Sequence, residues 1–89
     1  MIPGTQRMMI AIGHRAFLES RYIDEILPAH GSRAERSKRV AAEVGILIDA
    51  TQGKEVKSII KLRSEHLVLS SLEPETIQSR LKELNPSSA

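Results

Sequence analysis

The chain has no cysteine and no tryptophan, and its 89 residues include one phenylalanine and one tyrosine, Phe17 and Tyr22. Without cysteine there is no disulfide, no thiolate metal site and no thiol nucleophile. Two aromatic rings are too few to stack a run of unpaired bases, which argues against a platform for single-stranded nucleic acid. No apolar run approaches the roughly 18 residues that a membrane-spanning helix needs. Met1 to Arg7 lacks the apolar stretch of a secretion signal. A cytoplasmic protein with no membrane partner is expected. The length suits a single domain, expected over residues 8–84, with a flexible leader at 1–7 and a flexible tail at 85–89. A chain of this size buries only about 60–65% of its unfolded surface. Its hydrophobic fraction of 40% is mostly Ile, Leu, Val and Ala. So thin a core makes association with further copies of the chain an expectation.

Catalytic constellations are also missing. Gly13, Gly31, Gly45 and Gly53 are too widely spaced to form a phosphate-cradling loop, and each has an explanation as a turn or helix cap. His14, His30 and His66 lack metal-ligand spacing. His66 adjoins Glu65, so a histidine–carboxylate contact is possible, but the simpler role is structural, at a strand edge. Asp49 stands at the mouth of a turn, where its carboxylate is expected to accept backbone N–H bonds. Nothing assembles a nucleophile, a base and an orienting group. No enzyme activity, catalytic residue, metal, cofactor or small-molecule substrate is expected.

The hydrophobic pattern predicts an α+β domain. Met8 to Ile12, ended by Gly13, reads as a strand buried on both faces. Phe17-Leu18 and Tyr22 to Leu27 read as a second strand region, stopped by Pro28. Ser32-Arg33-Ala34-Glu35 has the form of a capping box, and the helix it opens runs to about Val44, with Gly45 as its left-handed cap. Ala34, Ser37, Val40, Ala41 and Val44 form one stripe of small residues on that helix, suited to lying close on a sheet. Ile46-Leu47-Ile48, Glu55 to Leu62 and His66 to Ser70 read as three strands of an antiparallel meander, joined by turns at Asp49–Lys54 and Arg63–Glu65. A closing helix begins at Pro74 and docks through Ile77, Leu81 and Leu84. The sum is an antiparallel sheet of about five strands, with one central and one C-terminal helix on the same side.

The charges are more informative than the net value of +2. Arg33, Arg36, Lys38 and Arg39 crowd the first helix. Arg33, Arg36 and Arg39 span a sector about 120° wide beside the small-residue stripe. Arginines so placed suit phosphates, although from this feature alone a solvated helix face is the slightly better explanation. Lys54, Lys57 and Lys61, joined by Arg63, form a second group, in which Lys57 and Lys61 are expected to share one strand face. Lysines in such a row also guard an edge strand against aggregation. Any nucleic acid is expected to be duplex DNA, gripped by its backbone.

Gly45-Ile46-Leu47-Ile48-Asp49-Ala50-Thr51-Gln52-Gly53-Lys54 resembles the G-x-L-I-D-A-T-x-G-[RK] signature of the RemA family, small bacterial regulators of extracellular-matrix genes. Ser64 to Ser70 is similar to that family's S-D-H-V-I-L-S, Pro74-Glu75-Thr76-Ile77 to its P-E-T-[VI], and Arg80-Leu81 completes the ending. Ile12-Gly13 and Arg21 to Pro28 resemble its I-G and R-x-I-x-x-[IV]-x-P blocks. The likeness covers roughly residues 8 to 82. It implies a LytTR-like fold and a biofilm-type transcription regulator that assembles into ring-shaped homo-oligomers and binds double-stranded DNA. The family's DNA contacts fall on Arg21 and Lys54, with Lys57, Arg33, Arg36 and Arg39 as further candidates from the charge pattern. The sequence departs from the family at three places. Glu55 stands where the family has a second basic residue, Gln52 where it has an aromatic one, and Pro28 to Ser32 replaces its Ser-Pro-x-Ser-Ala-Pro. An alternative follows from Glu55: a ring-forming scaffold or protein-interaction module that has lost DNA binding.

Overall fold

A computed structural model describes residues 9–13 and 15–84. The leader at 1–7, the tail at 85–89, and Met8 and His14 lie outside the described residues. The order is β1 (Met9–Gly13), β2 (Ala16–Glu19), a 3₁₀ turn (Ser20–Tyr22), β3 (Ile23–Pro28), α1 (Ser32–Glu43), β4 (Leu47–Asp49), β5 (Ser58–Leu62), β6 (Leu67–Ser70) and α2 (Pro74–Leu84). The fold is mixed α+β, but six strands replace the expected five, divided between a β1–β2 hairpin and a four-stranded sheet in the order β3-β5-β6-β4.

The expected meander does not form. β5 pairs antiparallel with β3 and with β6, whereas β4 pairs parallel with β6. By these directions β3 and β4 run parallel. The segment β3-α1-β4 is therefore a crossover unit, with the β5–β6 hairpin inserted between its strands. Residues 50–57 consequently do not close a hairpin; they pass over the end of β6 to reach β5. Along this path Ala50 N–H donates to Leu69 O (3.0 Å) and Lys57 N–H to Ser70 O (2.8 Å). The strand expected from Glu55 begins only at Ser58. Lys57 therefore precedes it, and Lys57 and Lys61 do not share a face: Lys57 lies beside Glu73 and Gln78 near α2, and Lys61 beside Arg33 and Arg36 of α1.

The helices cover opposite faces of the sheet, not the same one. Ile60 and Val68 meet Ile10, Ile12, Ile23 and Ile77 on the α2 side. Their sequence neighbours Ile59, Leu67 and Leu69 meet Ala34 and Ala41 on the α1 side. Alternation along β5 and β6 supplies both cores at once, which is why these strands read as unbroken apolar runs. Ile59, Ile60 and Ile77 are fully buried. β1, expected to be buried on both faces, alternates instead: Ile10 and Ile12 turn inward and Met9 is exposed. The second strand region is broken by the 3₁₀ turn into β2 and β3, and β3 extends through Pro28, which pairs with Ser58 at the sheet edge.

The capping box does not close. Gly31, with φ 110°, is the N-cap, Ser32 is already helical, and no side chain caps the end. Glu35 instead pairs with Lys38 at 3.2 Å. The other end matches expectation: Gly45 (φ 77°) donates to Ala42 O and Ile46 to Ala41 O, the double bond of a Schellman cap. Of the small-residue stripe, Ala34 and Ala41 are buried, Ser37 is half-buried, and Val40 and Val44 are exposed. α2 starts at Pro74 and buries Ile77, with Leu81 and Leu84 half-buried beside it, as its spacing implies.

Candidate nucleic-acid interface

The signature stretch builds a fastened loop. Asp49 Oδ1 accepts from both the Thr51 hydroxyl (2.6 Å) and the Thr51 N–H (2.9 Å). The hydroxyl first, and the N–H second, hold the Asp49 carboxyl below the ordinary aspartate range. Thr51 is 3% exposed, and its carbonyl accepts from the Lys54 N–H at 3.1 Å. Gln52 (φ 54°) and Gly53 (φ 84°) turn the chain through the left-handed region. The strand end at Gly13 supports the loop from below: a Cβ there would stand 3.3 Å from Ala50 O. Ser70 Oγ donates to Ile12 O and accepts from the Leu72 N–H, while Ser58 Oγ donates to Leu72 O. The I-G, D-A-T and final Ser blocks thus meet in one place. Lys54 projects from this support, exposed, with no carboxylate within 4.0 Å among the described residues. Glu55, also exposed, follows it.

Arg21 occupies the 3₁₀ turn at the opposite end of the four-stranded sheet. Its Nε lies 3.0 Å from Glu19 Oε2, an ion pair whose N–H is not aligned for a hydrogen bond. Its guanidinium centre stands 5.3 Å over the Tyr22 ring. The side chain is still 60% exposed. Arg63, in the β5–β6 turn, is tied to the same place: its N–H donates to Tyr22 O (2.9 Å) and its Nε to Arg21 O (2.8 Å).

Arg21 and Lys54 are not brought together. β5 runs from the Lys54 end of the sheet to the Arg21 end, and its five residues span roughly 15 Å. Arg33 and Arg36 lie apart from both. They rim an open groove of about 300 Å³ between α1 and the sheet, together with Lys61, Glu25 and Glu65. Arg33 faces Glu25 at 3.6 Å and Lys61 faces Glu65 at 3.8 Å. Arg39 is exposed and does not line the groove. Lys57 is paired with Glu73 at 3.6 Å. His66 makes no ion pair with Glu65, in keeping with the simpler structural role; its Nδ1 lies 2.9 Å from Ser64 Oγ. Arg80, quoted above only as part of an ending, donates to Ala11 O at 2.8 Å and ties α2 to β1. Only its position in the closing helix signalled that part. Among the described residues, no group of three or more His, Cys, Asp or Glu is placed to hold a metal ion, and no helix is long and apolar enough to cross a membrane.

Comparison with known proteins supports the resemblance. The chain is 37% identical over 78 residues to a protein of Thermodesulfovibrio yellowstonii, covering 88% of this chain and 92% of that one. It is 33% identical over 78 residues to a protein of Moorella thermoacetica, covering 88% and 86%. The names of both describe candidate regulatory proteins. The model of the RemA-like family, described as extracellular matrix regulatory protein A-like, matches residues 9–81. That span takes in every fastening of the loop, from Ile12 and Gly13 through Thr51 to Ser70 and Leu72, and on this evidence the chain belongs to the RemA-like family.

Proposed function

We propose that this chain is a cytoplasmic, oligomeric transcription regulator that grips duplex DNA through its backbone phosphates and performs no catalysis. The observation that carries this reading is Lys54. It is a cation with no carboxylate partner among the described residues, carried at the tip of a loop whose conformation is set by Asp49, Thr51 and Gly53. With the loop backbone already held, only the Lys54 side chain loses freedom on meeting a phosphate. Arg21 is a second exposed contact, with Arg33, Arg36, Arg39 and Lys57 as outlying positive charge. Because Arg21 and Lys54 sit at opposite ends of one sheet, several copies are needed to line a duplex with them. Exposed apolar side chains support such assembly. Met9 and Phe17 lie on the outer face of the β1–β2 hairpin, while Val40 and Val44 lie on α1, beyond the opposite face of the sheet. Two unlike patches on opposite sides suit head-to-tail association, which forms a ring when the rotation between copies closes.

The test is fluorescence anisotropy with a duplex of about 30 base pairs at several salt concentrations. Affinity falling steeply with salt is the expected outcome, since each neutralised phosphate releases counterions. An absence of binding at low salt overturns the reading.

The second reading is a scaffold of the same fold without DNA binding. Glu55 favours it, since it places a negative charge directly after Lys54 on the same exposed loop. Glu55→Arg discriminates: DNA binding gained by the variant, where wild type has none, supports the scaffold.

A further inference from the structure

We propose that Arg21 and Arg63 form a two-guanidinium clamp for phosphate groups at the hairpin end of the sheet, with Tyr22 as its floor. The inference rests on the DNA reading for its partner, the phosphodiester backbone, but its geometry is independent of Lys54 and the loop. The 3₁₀ turn and the β5–β6 turn are stitched together at this point by Arg63 N–H to Tyr22 O (2.9 Å) and Arg63 Nε to Arg21 O (2.8 Å). Arg63 is therefore anchored through its Nε–H on a carbonyl, while Arg21 is held by the ion pair with Glu19 at 3.0 Å, without a hydrogen bond. The Nε hydrogen bond orients the Arg63 plane, the Tyr22 ring faces the Arg21 plane, and the terminal amino groups of both make no hydrogen bond among the described residues. Planar forks of this kind match phosphate oxygens two at a time. Tyr22, 5.3 Å beneath the Arg21 guanidinium and half-exposed, restrains it further.

The named charges at this end balance, and Arg63 is the cation among them left for an anion. Glu19 neutralises Arg21 in part, and Lys61 and Glu65 face each other at 3.8 Å. Arg63 is exposed and has no carboxylate within 4.0 Å among the described residues. Asp24, exposed at the β3 irregularity between Ile23 and Glu25, is the adjacent negative charge that a bound phosphate has to avoid.

Duplex anisotropy over a salt series is compared for wild type, Arg63→Gln and Arg63→Lys, with a thermal melt of each. The clamp predicts that Arg63→Gln weakens binding several-fold and lowers the salt slope by about one unit, while Arg63→Lys keeps the slope and loses part of the affinity. Binding by Arg63→Gln equal to wild type overturns the clamp and leaves the DNA reading standing. A slope lost equally in Arg63→Lys marks a purely structural tether and also overturns it. If wild type binds no duplex, titration with pyrophosphate while observing the arginine Nε–H signals by NMR separates the two ideas. Saturable shifts of Arg21 and Arg63, with the Arg21 shift lost in Arg63→Gln, keep the clamp and assign it a polyphosphate molecule. No shift overturns clamp and DNA reading together.

Discussion

The two ends of the four-stranded sheet are built on different principles. At the loop end, polar side chains are buried and spent on holding chain segments together: Ser70 to Ile12 and Leu72, Ser58 to Leu72, Thr51 to Asp49. At the hairpin end the polar groups are exposed, and the arginine tethers leave charge facing solvent. The family signature runs the length of β4, from Gly45 to Leu47 at the hairpin end to Asp49 through Lys54 at the loop end. Gly45 caps a helix, Ile46 and Leu47 pack against the α1-side core, and Asp49 and Thr51 fix the turn. Gln52, Gly53 and Lys54 at its tip are exposed. The stretch that identifies the family is thus mostly a fastening of the fold. Glu55 and Gln52, two of the three departures, fall on the exposed part of the loop.

This contrast breaks most readily at Ser70. Ser70→Ala leaves the Ile12 carbonyl and the Leu72 N–H without their buried partner, and is expected to cost about 1–3 kcal/mol in chemical denaturation. Ser64→Ala, which removes an exposed contact to His66 at the other end, is expected to stay within about 0.5 kcal/mol. Equal losses would mean the two ends do not differ as described. Lys54→Glu is expected to weaken binding across all DNA sequences and to flatten the salt slope by about one unit, with an unchanged melt; tight binding by this variant would remove Lys54 from the interface. Gly53→Ala meets no neighbour but keeps a φ of +84°. It is expected to destabilise by about 1 kcal/mol through backbone strain alone, read from the same denaturation curves.

What was legible in the sequence divides along a physical line. Local rules succeeded where the determinant is local: Gly45 as a cap, Pro74 as a helix start, Asp49 as the acceptor of its own turn. They failed where the outcome depends on distant segments. Gly53 signals a left-handed residue whether the chain closes a hairpin or passes over β6, so residues 50–57 looked like a hairpin and β4 was placed beside the wrong strand. The two faces of β5 and β6 were equally hidden, because a continuous apolar run does not say which side each helix takes. Ser32 and Glu35 had the spacing of a capping box, but Gly31 entered the helix first and left Ser32 inside it. The basic residues can be read from the sequence, but their arrangement cannot. Lys57 and Lys61 fell to opposite sides of the sheet, and Arg63, seen only as one more cation in a row, is the one tied to Arg21.

The smallest expected effect is the acid dependence of the loop. The Thr51 hydroxyl and N–H lower the folded-state pKa of Asp49 below its ordinary value. The unfolded chain therefore binds a proton more readily than the folded one as pH falls through this range. Stability from Asp49 is fully present above about pH 4 and is lost as pH drops through the lowered folded value. The carboxylate is exposed, so solvent screens the effect. Melting temperatures of wild type and Asp49→Asn between about pH 2 and pH 6 measure it directly. The difference between the two is expected to be constant in the upper part of the range and to shrink toward the acid end. A difference that does not narrow would mean the Asp49 charge contributes nothing to fixing the loop beneath Lys54, leaving hydrogen-bond geometry, which asparagine can share, to hold it.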